Sequence, residues 1–78
     1  MIQVHVVRHY KHGISSWIIK VVRGKRTELE GMYRTQAIAI KFARPLAMRY
    51  KAELFIHGRD GKIRAKDSYG NDPRRVKG

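Results

Sequence analysis

The chain has 78 residues, 18 Lys and Arg against 6 Asp and Glu, and a formal net charge of +12. That length leaves room for one domain, and that charge attracts polyanions over a range of about 8–10 Å in physiological salt. The absence of cysteine excludes disulfides, thiolate metal sites and a cysteine nucleophile, while an apolar fraction of 42% with one Trp, four Tyr and two Phe excludes global disorder.

Folding at this size buries only about 60% of the unfolded surface, so a modest core is expected. No apolar run approaches the roughly 20 residues of a membrane-spanning helix, and Met1-Ile2-Gln3 does not open a signal peptide, so a cytoplasmic location is expected. The basic excess is spread along the chain. Residues 1–27 hold six basic side chains (Arg8, Lys11, Lys20, Arg23, Lys25, Arg26) and no carboxylate.

Residues 2–10 read as a first strand: Ile2, Val4 and Val6 share one face, with Gln3, His5, Val7 and His9 on the other. Residues 15–23 read as a second, with Trp17, Ile19 and Val21 opposite Ser16, Ile18, Lys20 and Val22. A long basic loop around Lys11-His12-Gly13 is expected to join them as a hairpin. Gly24-Lys25-Arg26 supplies a second turn, and residues 27–33 a weaker third strand.

At Thr35 the pattern changes. Its hydroxyl suits a helix N-cap, and Ile38, Phe42, Leu46 and Tyr50, flanked by Ala39, Ala43 and Ala47, recur at helical spacing as one apolar stripe. Pro45 falls inside this segment and removes one backbone hydrogen bond, so a kinked helix over residues 35–50 is predicted.

Residues 52–57 form another expected strand. Asp60-Gly61 reads as a type I′ turn, and residues 62–66 return with Ile63 and Ala65 inward and Lys62, Arg64 and Lys66 outward. The order β-β-β-α-β-β predicts an α+β fold: a small antiparallel sheet with one helix packed on one face. Residues 1–73 make a single domain, and residues 74–78, with Arg74, Arg75 and Lys77, a flexible basic tail.

Several of these segments carry a family resemblance. They are Trp17-x-Ile19-x-Val21, Thr35-x-Ala37-Ile38 with Ala43-Arg44-x-x-Ala47, Glu53-Leu54-x-Ile56-His57-Gly58-x-Asp60-Gly61-Lys62-Ile63-Arg64, and Lys66-Asp67-Ser68-Tyr69-Gly70-Asn71-Asp72-Pro73. Together they resemble the small bacterial family catalogued as domain of unknown function 2188, the stretch from Glu53 to Pro73 being the specific part. The resemblance implies a compact α+β fold in a bacterial or phage setting, and it assigns no activity. Pro45 departs from the family's pattern, and so does the unusually basic first hairpin loop, which suggests that the strong charge belongs to this member and not to the whole family.

The charge points to DNA or RNA bound through phosphates without sequence preference, by Lys20, Lys62, Arg64 and Lys66 on the outer sheet face and by Arg23, Lys25, Arg26, Arg74 and Arg75 in loops and tail. The bland alternative is a solvated basic face. No aromatic RNA-binding box, zinc finger or recognition helix is present, so readout of base edges is not expected. A protein-interaction or self-associating module, using Val7, Ile18 and Val22 as an apolar strip, is the main rival. The third reading is a small toxin-type ribonuclease using His57 beside Asp60 or Asp67. A binding role without catalysis, cofactor, metal or membrane is the leading expectation, because histidines four apart on a strand stand about 13 Å from each other, too far to share an ion. The segment from Asp67 to Pro73 is expected to be a structural corner.

Overall fold

The two-residue alternation of the N-terminal half carries into two long strands, β1 (Ile2–Lys11) and β2 (Ile14–Arg23). They are paired without interruption from Ile2 with Arg23 to Lys11 with Ile14. The expected long loop between them is absent. Only His12 and Gly13 connect the strands, at φ of 54° and 76°, the two positive φ values of a type I′ turn whose twist matches the flanking strands. Gly24, at φ of 59°, opens an equally short turn into β3 (Arg26–Tyr33).

The structure, a computed structural model, describes residues 1–70. Beyond β3 come α1 (Gln36–Tyr50), β4 (Glu53–His57) and β5 (Ile63–Ser68), in the strand order β3-β2-β1-β4-β5. The α+β fold with one helix on the sheet is as the sequence predicts. The sheet is mixed, however, because β4 runs parallel to β1 while every other pair is antiparallel. The helix is the reason: it carries the chain from the β3 edge across the sheet and delivers β4 beside β1 in the same direction.

Thr35 caps α1, its Oγ1 accepting from the Ile38 N–H at 3.2 Å. The helix continues through Pro45 to Tyr50 and ends at Lys51, whose left-handed φ of 52° turns its N–H back to the carbonyls of Ala47 and Met48. Only part of the stripe that spacing suggested is buried. Ala39, Ala43 and Ala47 are fully buried, whereas Ile38 and Phe42 are 39% and 49% exposed. A ridge of methyl groups lets the helix backbone approach the sheet closely, and the larger side chains are displaced to the flanks. Beneath that ridge lie Val4, Val6, Trp17, Ile19, Val21, Leu54 and Ile56. Phe42 stacks instead on Tyr33 at the β3 margin, with ring centroids 5.1 Å apart.

The β4–β5 hairpin also departs from expectation. Only Gly61 has positive φ (85°), so Asp60-Gly61 is not a type I′ turn. Gly61 N–H bonds the Gly58 carbonyl, Gly58 N–H bonds that of Lys62, and Asp60 Oδ1 accepts from Lys62 N–H at 3.0 Å. This is the longer connection in which a left-handed glycine closes the turn and introduces a bulge. A separate bulge follows along β5, where Ile56 pairs with Ala65 but His57 with Ile63, leaving Arg64 as the extra residue. Ile63 is therefore 55% exposed instead of inward, and the row of Lys62, Arg64 and Lys66 loses its alternation.

Candidate functional site

The helix covers one face of the sheet, and among the described residues no element covers the other. Strand registers align the open face in transverse rows. The central row runs Leu29, Lys20, His5, Phe55, Lys66, one residue from each of β3, β2, β1, β4 and β5. Three inter-strand steps separate Lys20 from Lys66, or about 14 Å. Beside this row lies another of Thr27, Val22, Gln3, Glu53 and Ser68.

The central row is internally stacked. The His5 and Phe55 rings lie nearly parallel with centroids 4.7 Å apart, and the Lys66 ammonium sits 5.4 Å from the Phe55 centroid. Phe55 thus has His5 against it and the Lys66 cation 5.4 Å from its ring centroid. Lys66 Nζ also lies 3.8 Å from Glu53 Oε2. Lys20 makes no ion pair among the described residues.

His5 is the hub of this face. Its Nδ1 is 3.0 Å from His57 Nε2, and its Nε2 is 3.0 Å from Gln3 Oε1. His57 Nδ1 in turn lies 3.1 Å from the Gly61 carbonyl. Burial first, then the neighbouring His57 and Lys20, lowers the His5 pKa from its ordinary value.

Of the basic residues singled out from sequence, Lys20 and Lys66 meet on this row. Arg23 does not join them: its guanidinium packs 4.5 Å from the Tyr50 ring, and its Nε is 3.6 Å from Glu28 Oε1. Arg26 reaches the same carboxylate at 3.7 Å, so only Lys25 of that turn is without an ion pair among the described residues. Lys62 and Arg64 stand at the opposite end, by the β4–β5 bulge. Arg74 and Arg75 lie outside the described residues, as do the tail and the end of the segment from Asp67 to Pro73.

His57 bonds to neither carboxylate proposed beside it. Asp60 closes its own turn, and Asp67 lies on the helix side, accepting from Arg44 Nη1 at 2.8 Å. Of the apolar strip, Ile18 is only 7% exposed, held between Val7 and Met32 as cross-strand neighbours. The described residues hold no group of three or more His, Cys, Asp or Glu placed to bind a metal. None of their helices is long and apolar enough to cross a membrane.

Sequence reasoning missed the grouping of Gln3, His5, Phe55 and His57. Alternation had placed Gln3 and His5 on the outer face, but the parallel pairing that brings β4 beside them joins residues 52 positions apart. Residues 4–69 match a family described as "Uncharacterized protein conserved in bacteria (DUF2188)". No curated protein and no solved structure matches the chain.

Proposed function

The chain belongs to this bacterial family, and we propose that it is a nucleic-acid-binding module that engages phosphates through the open face of its sheet. The observation that carries the proposal is the central row, with Lys20 and Lys66 on either side of His5 and Phe55, on a face left uncovered in a chain of net charge +12. Cations about 14 Å apart on a flat surface suit contact with separate phosphates of one polymer. Phe55 is already stacked on His5, and phosphate contacts by lysines carry no sequence information, which favours binding that is indifferent to sequence.

The test is titration into labelled duplex DNA, single-stranded DNA and RNA at several salt concentrations. The expected result is affinity that falls steeply with salt. The Lys20→Ala, Lys66→Ala double variant is expected to flatten the log–log slope on duplex DNA by about 2, roughly one unit per lost phosphate contact. An unchanged slope in that variant assigns binding to another surface, and absence of binding to all three polymers overturns the proposal.

A second reading, self-association, is favoured by β3. It is an edge strand, and its Leu29 and Met32 are 66% and 61% exposed. Repulsion between two copies of charge +12 opposes it. Light scattering on the same samples separates the two: a dimer whose mass halves on Met32→Lys supports association through this edge.

A further inference from the structure

With the Gln3 amide oxygen turned toward His5, the ring nitrogens of the histidine pair do not balance when both rings are neutral. A neutral imidazole has one N–H and one lone pair. His57 Nδ1 faces a carbonyl, which only accepts, so that nitrogen carries a proton and Nε2 is left as a lone pair. His5 Nε2 faces Gln3 Oε1, so it too carries its ring's proton and Nδ1 is a lone pair. The two nitrogens that face each other at 3.0 Å are then both acceptors. One additional proton between them satisfies every contact and gives the pair a charge of +1. A second additional proton sets two N–H groups against each other and breaks the link.

We infer that His5 and His57 form a one-proton site whose charged form completes an anion-binding row with Lys20 and Lys66, so that phosphate binding takes up a proton. The inference rests on the reading of this face as the nucleic-acid surface. His57 Nε2 donates and His5 accepts in the charged form, in keeping with the burial and neighbouring charges that disfavour a cation on His5 itself. The neutral form is reached by turning the Gln3 amide, which then donates to His5 Nε2 and leaves His5 Nδ1–H to donate to His57. Gln3 therefore lets the pair exist in both states without an orphaned group.

The charged groups around the pair come from every adjoining strand. Lys20 on β2 pairs across from His5, Glu53 on β4 lies beside Gln3, and Lys66 on β5 pairs with Phe55. Ile63 on β5 is the cross-strand partner of His57, Lys62, Arg64 and Asp60 belong to the turn and bulge that follow β4, and His9 lies farther along the same face of β1. Cations predominate, so an arriving phosphate offsets their repulsion and favours the charged pair. All four ring nitrogens are engaged within the protein, which suits a fixed charge and not a proton donor to substrate.

The experiment measures affinity for the same labelled duplex and single-stranded oligonucleotides from pH 6 to pH 8 at constant salt, with proton uptake read by calorimetry in two buffers of different ionisation enthalpy. Linkage to one proton limits the effect to about tenfold per pH unit. The expected result is at least a several-fold tighter complex at pH 6, with uptake of up to one proton. His57→Gln is expected to remove most of this dependence, while His9→Gln and His12→Gln keep it. Circular dichroism of each variant confirms that it is folded. Binding that is tight but equal at both pH values, or a dependence that survives in His57→Gln, overturns the inference and leaves the nucleic-acid reading intact. Absence of binding at every pH overturns both.

Discussion

Arg44 in the middle of the helix ties down the last strand: its Nη1 donates to Asp67 Oδ2 at 2.8 Å and to the Tyr69 hydroxyl at 2.6 Å. The bond to Asp67, and after it the one to Tyr69, raises the Arg44 pKa still further, so the tie persists at any pH where Asp67 is ionised. β5 has little else to hold it to the helix, since all its residues but Asp67 are exposed. Arg44→Ala is expected to cost about 1–2 kcal/mol, the lower part of the range for hydrogen bonds to charged groups because both partners are partly solvated. Tyr69→Phe should cost about 1 kcal/mol or less. Urea denaturation measures both, and unchanged midpoints would make the contact an incidental surface pair. The tie gives Asp67 and Tyr69 a structural part, but a different one from the local turn expected: Asp67 lies within β5 and bonds the helix.

What could be read before the structure, and what could not, divides by the range of the interaction. The faces of β1, β2 and β4 follow from two-residue alternation, and the start of the helix follows from Thr35, because each depends on neighbours within a few residues. The pairing of His5 with Phe55 and His57 depends on where the crossover helix sets β4 down, and no local pattern carries that. The centre of the helix's buried face escapes a local reading for a related reason. Spacing identifies an apolar stripe, but Phe42 and Ala43 are adjacent on it, and only the distance of closest approach to the sheet selects the alanine. Arg23 looked like a free cation for want of any sign that Tyr50 and Glu28 would meet it.

That alanine ridge gives a packing prediction. Ala43 is fully buried, so Ala43→Leu must push the helix from the sheet and is expected to destabilise by about 1–3 kcal/mol. Phe42→Ala, at a site 49% exposed, removes a larger side chain and should cost less than a buried Phe→Ala change of about 3–5 kcal/mol. Thermal melts of the two variants decide it. A larger loss for Phe42→Ala than for Ala43→Leu would mean that the aromatic pair, and not the methyl ridge, holds the helix.

Acid should weaken the fold through His5. Its folded pKa is lowered from 6.5, by burial first and then by His57 and Lys20. Between 6.5 and the lower folded value the unfolded chain binds more protons than the folded one, so stability rises with pH across that window. The contribution is fully present above 6.5 and is lost as pH falls through the folded value. Urea midpoints at pH 7.5, 6 and 5 are expected to decline, and His5→Gln to decline less steeply. Parallel curves for the two proteins would place the acid sensitivity elsewhere.

Glu53 gives the sharpest check on the open face. Its carboxylate is 3.8 Å from Lys66 Nζ and stands in the row next to His5 and Phe55, a negative charge on the surface assigned to phosphates. Its side chain is only 20% exposed against 54% for Lys66, so it has little freedom to swing away from an arriving anion. If phosphates contact this face, Glu53→Gln removes a repulsion and releases Lys66 at once. Affinity for nucleic acid should then rise several-fold, with little change in the denaturation midpoint, since a half-exposed ion pair contributes about 0–1 kcal/mol. A carboxylate remote from the contact surface would add only a general field, which about 0.15 M salt screens beyond roughly 8 Å. The two cases differ in how the gain behaves as salt rises. A contact effect persists at physiological salt, whereas a gain that vanishes there would move the phosphates to the turns around Lys25 or Lys62 and away from the sheet.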